Sequence, residues 1–547
     1  MSKADRFKPY YPIILAIVLV GGMYFGGAMM SIKFSSYQNL KRSLFSVNFN
    51  YYDKFYDVLN YISDSYVDSV ERESLIDDAI NGLLKKLDPH SSYISAADFR
   101  RMNEPLMGNF EGIGVEFRIE HDTVVILNMI SGGPSEKLGL RAGDRIVKVN
   151  DSVIAGVGIS NQKVVDKLKG PKGTKVKVSV KRRSAEDLLD FEIVRDVIPT
   201  YSIDIAYMVN DSIGYLKINR FSATTYSEFL QAVSLLKSQG MSRLMIDLRG
   251  NGGGYLNAAI KMADEFLENN RLIVYTEGLN RPRSYAYATH QGNLKTTPFV
   301  ILLDEWSASA SEVFAGAMQD NDKGLIVGRR SFGKGLVQEQ IQLMDGSAIR
   351  LTVARYYTPL GRSIQSPYSD DVSAYYLNFY RRFFDDEQEE LRPDTIEFVT
   401  PGGRVVYGGG GITPDIIVEY NEDKYSVYYT RLSNRGVIFK YAFQYADFHR
   451  DSLMEVYNTA QDFNQNFSVS PELLKEFRNF AGHKGVKKDK DDEMDSSHII
   501  NVQLKAHIGR NLYSSESFYP VMHKVDDVFL KALEVLKSDD KTEILVN

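Results

Sequence analysis

The stretch "RLMIDLRGNGGGYLNAAIKMADEFLE", residues 243–268, decides the fold class of this chain. Its first part is a short apolar run typical of a buried strand, and its last part repeats apolar residues at the spacing of one helix face. The glycines between them predict a tight turn that presents bare backbone amides at the start of the helix. A strand that runs through a glycine turn into a helix is typical of an α/β core.

A turn of this kind can bind an anion, either a phosphate or the oxyanion of an acyl-transfer intermediate. It is not a P-loop, because no Gly-Lys-Ser/Thr ends it, and it lacks the G-x-G-x-x-G spacing of dinucleotide sites. The alternative is that the glycines only let strand and helix pack closely. Taken alone, the turn leaves both interpretations open.

Length and composition set wider limits. A chain of 547 residues predicts three to four domains at about 150 residues each. An apolar content of 44% with 12% aromatics is typical of globular proteins, and a net charge of -6 argues against a nucleic-acid partner. The absence of cysteine excludes disulfides, thiolate nucleophiles and zinc sites built on cysteine. We predict no metal site and no cofactor.

The N-terminus carries the one membrane signal in the sequence. Residues 13–30, "IILAIVLVGGMYFGGAMM", are almost wholly apolar and approach the ~20 residues that a spanning helix needs. Lys3, Arg6 and Lys8 precede them, which favours a short cytoplasmic tail, although basic residues also follow. We predict an uncleaved anchor over residues 1–33, with a cleaved signal peptide as the alternative.

A second strand–turn–helix unit follows further along the chain. Residues 298–306, "PFVILLDEW", predict another buried strand, after which Ser309 opens a helix in "SASASEVFAGAMQD" (307–320). A serine in this position is a good helix N-cap and often nothing more. It also suits a nucleophile, because its hydroxyl projects at the strand–helix junction and the amide of Ala310 points the same way as an oxyanion donor.

A serine nucleophile needs a base. The one histidine between residues 200 and 420, His290, stands in a polar loop without a motif. Lysine can replace histidine if it is held neutral by burial or by nearby positive charge. In "SFGKGLVQEQIQL" (331–343), Lys334 lies between two glycines, and Gln338 could align its amine without adding negative charge. The alternative is a merely solvated lysine.

Residues from about 108 to 185 have a different sequence pattern, in which short runs typical of β-strands alternate with glycine turns. This segment resembles a PDZ domain, with "GIGVEF" (112–117) in the place of the carboxylate-binding loop and first strand. The resemblance implies that the backbone of Gly112, Ile113, Gly114 and Val115 captures a peptide's C-terminal carboxylate. The alternative is that the two glycines only make a turn.

Five motifs together resemble the carboxyl-terminal processing, or tail-specific, Ser–Lys peptidases: "SASASE", "FGKG", "DLRGNGGG", "LTVARYYTPLGRSIQ" and "GGGITPDIIV". The resemblance covers roughly residues 45–420. It implies that Ser309 is the nucleophile, Lys334 the general base and Gln338 the residue that orients the lysine. The oxyanion donors would be the amides of Ala310 and of either Gly252 or Gly253. Glu312 matches a motif position with a supporting role, or is simply an acid favoured at a helix start.

The expected fold is therefore a multidomain α/β chain with a crotonase/Clp-like α/β protease core, an inserted PDZ domain, an N-terminal helical segment and a C-terminal helical extension. The expected domains are the anchor (1–33), a helical region (34–107), the PDZ domain (108–190), the protease core (191–420, with an insertion at 366–407) and the extension (421–547). The roles of the insertion and of the extension stay open.

We expect a membrane-anchored serine endopeptidase that cleaves proteins at or near free C-terminal tails. It would be a single-pass protein of the inner (cytoplasmic) membrane with its catalytic part facing the periplasm. A homo-oligomer or an adaptor protein as partner stays open. The competing hypotheses are a catalytically idle PDZ scaffold and a crotonase-like acyl-CoA enzyme, because that family shares glycine-rich oxyanion loops.

Overall fold

The computed structural model describes residues 51–369, 372–381, 396–420, 425–488 and 496–538, and of residues 51–53 the backbone only. The chain divides into two compact units, residues 1–83 and 84–547. The predicted anchor lies outside the described residues. None of the helices within those residues has the length and apolar character needed to cross a bilayer.

The first unit is helical where it is described. Its helices are α1 (Tyr51–Ser65) and α2 (Arg72–Leu84), the second of which ends on the first residue of the next unit. Both helices lie within the helical region expected over residues 34–107. The structure confirms them.

The second unit begins with β1 (Ser92–Ile94) and α3 (Ala96–Met107), and then forms a small antiparallel sheet of order β3-β4-β5-β7-β8. The elements of this part are β2 (Asn109–Gly112), β3 (Val115–Glu120), β4 (Thr123–Met129), α4 (Pro134–Lys137), β5 (Arg145–Val149), β6 (Ser152–Val153), α5 (Asn161–Leu168), β7 (Lys175–Lys181), β8 (Leu188–Val194) and β9 (Asp196–Pro199). Strand β6 extends the sheet beside β5, and β2 pairs with β9. Strand β3 lies at an edge of the sheet, where an added strand could pair with it.

The largest core is built on a six-stranded sheet of order β10-β11-β12-β15-β16-β21. Its strands are parallel except for the pair β10 and β11. The elements are β10 (Ile203–Met208), β11 (Ile213–Ile218), α6 (Thr225–Ser238), β12 (Arg243–Asp247), α7 (Leu256–Asp264), β15 (Phe299–Leu303), α8 (Ala310–Asp320), β16 (Leu325–Gly328) and β21 (Ile416–Ile417). The expected strand–turn–helix units are β12 to α7, through the glycine turn, and β15 to α8, through the turn that ends at Ser309.

A second, antiparallel sheet adjoins this core. It contains β13 (Leu272–Gly278), β14 (Arg281–Tyr287), β17 (Leu336–Gln342) and β18 (Ala348–Tyr357), and β1 joins it by pairing with β18. Within the predicted insertion, the described elements are α9 (Val372–Arg381), β19 (Glu397–Val399) and β20 (Val405–Tyr407).

Seven helices of the described residues lie at the C-terminal end: α10 (Val427–Asn434), α11 (Val437–Val456), α12 (Ala460–Asn466), α13 (Pro471–His483), α14 (Ser497–Tyr513), α15 (Ser515–Met522) and α16 (Asp527–Lys537). The first five, α10 to α14, share an apolar core of their own. The predicted multidomain α/β fold with helical regions at both ends is confirmed.

The last helix, α16, packs on the six-stranded sheet. One face of that sheet is covered by α6, α7 and α8. On the other face Met245, Val300 and Leu302 contact apolar residues of α16, including Phe529 and Val535. The C-terminal segment thus supplies one layer of the largest core, which the sequence did not indicate.

Helix α11 also contacts the small antiparallel sheet. The guanidinium of Arg118 lies over the rings of Phe439 and Phe443, at 4.6 and 4.5 Å from their centroids. Arg145 pairs with Asp447 at 2.6 Å. Ring stacking and an ion pair therefore join strands β3 and β5 to the C-terminal helices.

Candidate active site

The candidate site lies where two neighbouring parallel strands end. The glycine turn follows β12 and Ser309 follows β15, and these strands pair directly. A Cβ added at Gly253 would lie 2.8 Å from Cβ of Ser309, so only glycine fits there. The carbonyl oxygen of Asn251 accepts the Ala308 amide at 3.0 Å and the Ser311 hydroxyl at 2.9 Å. The carboxyl edge of the sheet thus brings the two predicted motifs into contact.

Ser309 has an unusual backbone conformation, with φ 56° and ψ -114°. Positive φ is strained for a residue with a Cβ and is found mostly where surrounding structure enforces it. Its side chain remains partly exposed at the start of the otherwise buried helix α8. This is how a strand-to-helix turn presents a nucleophile.

Glu312 connects this turn to the segment between β16 and β17, residues 329–335, which carries Lys334 and is called the lysine loop below. Its carboxylate is fully buried and accepts the amides of Ser309 (2.7 Å), Gly333 (2.7 Å) and Lys334 (2.9 Å) and the hydroxyl of Ser331 (2.6 Å). Burial raises the pKa of this carboxyl group, while these hydrogen bonds oppose the rise. Glu312 therefore does more than favour a helix start, because it fixes the backbone on both sides of the site.

Tyr356 makes a second connection. Its buried hydroxyl donates to the carbonyl oxygen of Ser309 at 3.1 Å and also contacts the carbonyl oxygen of Lys334. Two side chains, Glu312 and Tyr356, thus hold the main chains of Ser309 and Lys334 together. Sequence reasoning did not identify Tyr356.

The amine of Lys334 lies beside the predicted orienting residue, Gln338. Its Nζ donates to Oε1 of Gln338 at 2.9 Å. Burial, reinforced by the positive charge of Arg350, lowers the pKa of Lys334 to about 8. In the described residues, no hydrogen bond joins Nζ of Lys334 to Oγ of Ser309, and the amine is bound to Gln338 instead.

Gln338 is itself fixed by a loop that precedes the small sheet. Its Nε2 donates to the carbonyl oxygen of His90 at 2.8 Å, which leaves Oε1 facing the lysine. Asp88 holds that loop by accepting the amides of His90 and Ser91, both at 2.8 Å. Burial, followed by the charge of Lys334, lowers the pKa of His90 to about 4, so its ring is neutral near pH 7.

The predicted insertion reaches the same place through helix α9. The hydroxyl of Tyr375 lies 3.2 Å from Nε2 of His90. Phe379 packs against Phe332, two residues before the lysine, with ring centroids 4.7 Å apart, and against Trp306 at 5.3 Å. The aromatic spacing of "AYYLNFY" (374–380) was the available signal for this contact.

The amides predicted to be oxyanion donors have different surroundings. The amide of Gly253 donates to Oδ1 of Asn251 at 2.9 Å, although Gly253 is the glycine that touches Ser309. Among the described residues, the amide of Gly252 has no hydrogen-bond partner. Ala310 is the first residue of α8, where amides have no acceptor within the helix.

The predicted carboxylate-binding loop connects β2 to β3 in the part of the chain that forms the small antiparallel sheet. The carbonyl oxygen of Ile113 accepts the hydroxyl of Ser135 at 2.6 Å, and that of Gly114 accepts the amide of Ile130 at 2.9 Å. Gly112 ends β2 and Val115 begins β3. Within the described residues the amides of Ile113 and Gly114 have no hydrogen-bond partner, which is the requirement for holding a carboxylate.

Models of known families match four parts of the chain. Residues 212–373 match Peptidase family S41, and residues 112–193 match the PDZ domain. Residues 16–97 match the activating protease CtpB N-terminal domain, and residues 428–514 match a family of unknown function.

Individual proteins and a solved structure are also similar to this chain. The carboxy-terminal-processing protease of Bartonella bacilliformis is 35% identical over 358 residues, which cover 64% of this chain and 80% of that protein. The carboxy-terminal processing protease CtpB of Bacillus subtilis is 32% identical over 365 residues, which cover 64% of this chain and 75% of that protein. Among solved structures, the photosystem II D1 C-terminal processing protease is 27% identical, covers 66% of this chain and 86% of that chain, and has a TM-score of 0.35.

The Bartonella relative exceeds 30% identity over four fifths of its own length. The S41 match contains strands of the six-stranded sheet and of the second antiparallel sheet, and the PDZ match falls on the small antiparallel sheet. The chain therefore belongs to the carboxy-terminal processing proteases, a family of serine-type peptidases with a PDZ domain.

Proposed function

We propose that Ser309 and Lys334 form the catalytic dyad of this peptidase. The observation that carries the proposal is the state of Lys334: its amine is bound to a neutral amide, its pKa is lowered to about 8, and Glu312 holds its loop to the Ser309 turn. A lysine that loses its proton near neutral pH can act as a general base.

In the proposed reaction, neutral Lys334 takes the proton of the Ser309 hydroxyl as Oγ attacks the scissile carbonyl carbon. The negative charge that develops on the carbonyl oxygen is stabilised by the amide of Ala310 and by an amide of the Gly252–Gly253 pair. Lys334 then gives its proton to the leaving amine, and water repeats the sequence to release the acyl group from Ser309. The lysine amine has to turn from Gln338 toward Ser309, as catalytic hydrogen bonds often form only with substrate bound.

A fluorophosphonate that labels reactive serines tests this proposal. We expect labelling of the wild-type chain at Ser309, and none in Ser309→Ala or Lys334→Ala. Labelling of Lys334→Ala at the wild-type rate would contradict the role of the lysine. Hydrolysis of an acyl-CoA thioester with no peptide cleavage would instead favour the acyl-CoA hypothesis, and inertness toward both would favour the idle scaffold.

We propose further that the PDZ domain recognises the free C-terminal tail of the substrate. The open amides of Ile113 and Gly114 and the edge position of β3 support this. Matched peptides with free and amidated C-termini test it, because amidation removes the charge that the loop would bind. Equal kcat/KM for both peptides would contradict tail recognition.

We also propose that residues 13–30 anchor the chain in the inner membrane, with the peptidase on the periplasmic side. The support is the apolar run and the basic residues before it. An added proteinase should digest the peptidase part in spheroplasts. Protection there would reverse the orientation, and a mature chain beginning near Met29 would show a cleaved signal.

A further inference from the structure

The C-terminal segment supplies a charged group to the loop that carries the oxyanion donors. Asp526 directly precedes α16, and its Oδ1 caps that helix by accepting the amide of Phe529 at 3.1 Å. The same carboxylate pairs with Arg249, which follows β12, at 2.9 Å to Nη1 and 2.8 Å to Nη2. Neither family model that matches the protease core or the C-terminal helices includes residue 526.

Arg249 is held between two carboxylates. Its Nε and Nη2 donate to the fully buried Asp247 at 3.1 and 2.6 Å, and its own amide donates to the same carboxylate at 2.9 Å. Lys217 and the hydroxyl of Tyr215 complete the surroundings of Asp247, at 3.2 and 2.7 Å. Paired, planar hydrogen bonds on both sides leave the guanidinium little freedom.

Arg249 stands at the start of the glycine turn, so its pairing with Asp526 bears on the position of that turn. The next residue, Gly250, donates its amide to Asp304 at 2.8 Å, and Gly253 contacts Ser309. The turn therefore starts from an arginine fixed on two sides and ends against the nucleophile. Within the turn, Asn251 makes the side-chain contacts: its Nδ2 donates to the carbonyl oxygen of Ile218 and its Oδ1 accepts the amide of Gly253, both at 2.9 Å. The glycines have no side chain to add contacts, so the geometry of the turn depends on Asn251 and on the residues at its ends.

We propose that Asp526 is a positioning residue for peptide hydrolysis: through Arg249 it holds the glycine turn where an amide of the Gly252–Gly253 pair meets the oxyanion formed on Ser309. The proposal rests on the proposed function of Ser309. It assigns to the C-terminal segment a part in catalysis in addition to its cover of the sheet.

The test is the substitution Asp526→Asn, which keeps a side-chain oxygen to cap α16 and removes the charge that pairs with Arg249. The matched control is Asp204→Asn. Asp204 ties the same segment to β10 by accepting the hydroxyls of Ser515 at 2.8 Å and Tyr519 at 2.7 Å, and it has no part in the glycine turn.

We expect kcat of Asp526→Asn for a tail peptide to fall by about 10- to 100-fold with little change in KM, because the loss concerns the transition state. The affinity for a peptide boronate, which forms a tetrahedral adduct with a serine, should fall by a similar factor. Asp204→Asn should lower Tm without lowering kcat, and Asp526→Glu should recover part of the lost kcat.

Wild-type kcat and boronate affinity in Asp526→Asn would overturn the inference. If that variant fails to fold, Arg249→Lys, which keeps one charge and loses the two-sided pairing, carries the same expectation. Ser309→Ala separates the two levels: its inactivity beside a fully active Asp526→Asn would refute only this inference, whereas an active Ser309→Ala would refute the proposed function.

Discussion

Ser309 and Ser514 have nearly the same backbone conformation in different surroundings. Each precedes a helix, α8 or α15, and each has φ 56°. The third residue of each helix is fully buried, but it is Glu312 in one case and Ser517 in the other. Ser517 donates to Oδ1 of Asn464 at 2.5 Å, within the C-terminal helices, whereas Glu312 binds the lysine loop.

Because the two serines share this conformation, a strained helix start alone does not support the proposed role of Ser309 as a nucleophile. Positive φ costs of the order of 1–3 kcal/mol at either serine, whatever the residue does. What distinguishes Ser309 is the approach of two loops from other parts of the chain, the glycine turn after β12 and the lysine loop before β17. Substitutions at the two helix starts and around Lys334 can sharpen or break this comparison.

The largest effect should separate the two hydroxyl groups. Ser309→Ala should reduce kcat/KM for a tail peptide by about 10⁴-fold or more, because the nucleophile is lost. Ser514→Ala should leave kcat/KM unchanged. Peptide hydrolysis by the two purified variants gives both values of kcat/KM, and circular dichroism verifies that the variants fold. Equal kcat/KM for the two variants would contradict the proposed difference between the serines.

The next effect concerns the third residue of each helix. Glu312→Gln should lower kcat by about 100-fold, because the amide keeps one acceptor oxygen and replaces the other with an NH2 donor. Each carboxylate oxygen accepts two of the four hydrogen bonds, so two of them are lost and the lysine loop should move away from Ser309. It should also lower the free energy of unfolding by about 2 kcal/mol. Denaturant unfolding beside kcat measures both, with Ser517→Ala as the matched control.

In that control a buried hydrogen bond is lost far from the lysine. Ser517→Ala should therefore lower the free energy of unfolding and leave kcat unchanged. If Glu312→Gln and Ser517→Ala differed only in stability, Glu312 would have no part in arranging the site.

A smaller effect follows from the lysine. If the proposed base is neutral Lys334, whose pKa is lowered to about 8, kcat/KM should rise as pH increases through that value and level off above it. Gln338→Glu places a negative charge beside the amine, which favours its protonated form and shifts the rise to higher pH. At pH 7 the variant should be about tenfold slower.

Removal of a positive charge should act in the same direction more weakly. Arg350→Gln takes away a group that lowers the pKa of Lys334, so the rise in kcat/KM should again move to higher pH. A profile that is flat between pH 6 and 9 in all three proteins would contradict a lysine base.

The smallest effect is common to both serines and concerns stability alone. At Ser309 and at Ser514, the glycine variant should be more stable than the alanine variant by about 1–2 kcal/mol, because both variants lack the hydroxyl and only alanine keeps a Cβ at positive φ. Ser470 caps a helix with φ -73° and should show a smaller difference. Thermal unfolding of the three pairs measures this.

Sequence patterns anticipated those parts of the site that depend on local order. Apolar spacing predicts the strand–turn–helix units around Gly253 and Ser309. Gln338 is only four residues after Lys334, so a contact between their side chains could be expected from the sequence. The PDZ segment was also recognisable, because its glycine turns and short strands are consecutive in the chain.

The parts that sequence reasoning missed join distant residues. His90 reaches Gln338 across 248 positions, and Arg249 reaches Asp526 across 277. No periodicity within a helix or strand encodes such pairs, since they result from how separate elements pack. For the same reason the sequence could not place helix α9 beside Phe332, or choose between the amides of Gly252 and Gly253.

Helix α16 also has a consequence for the order in which the molecule matures. During synthesis β10, which begins at Ile203, leaves the ribosome long before α16, which begins at Asp527. Until then one face of the six-stranded sheet lacks its cover, and Arg249 has only one of its two carboxylates. Contacts between such distant segments form late, because a long loop must close first. A nascent chain therefore carries its PDZ domain before it carries a finished protease core, and the glycine turn is among the last parts to reach its final geometry.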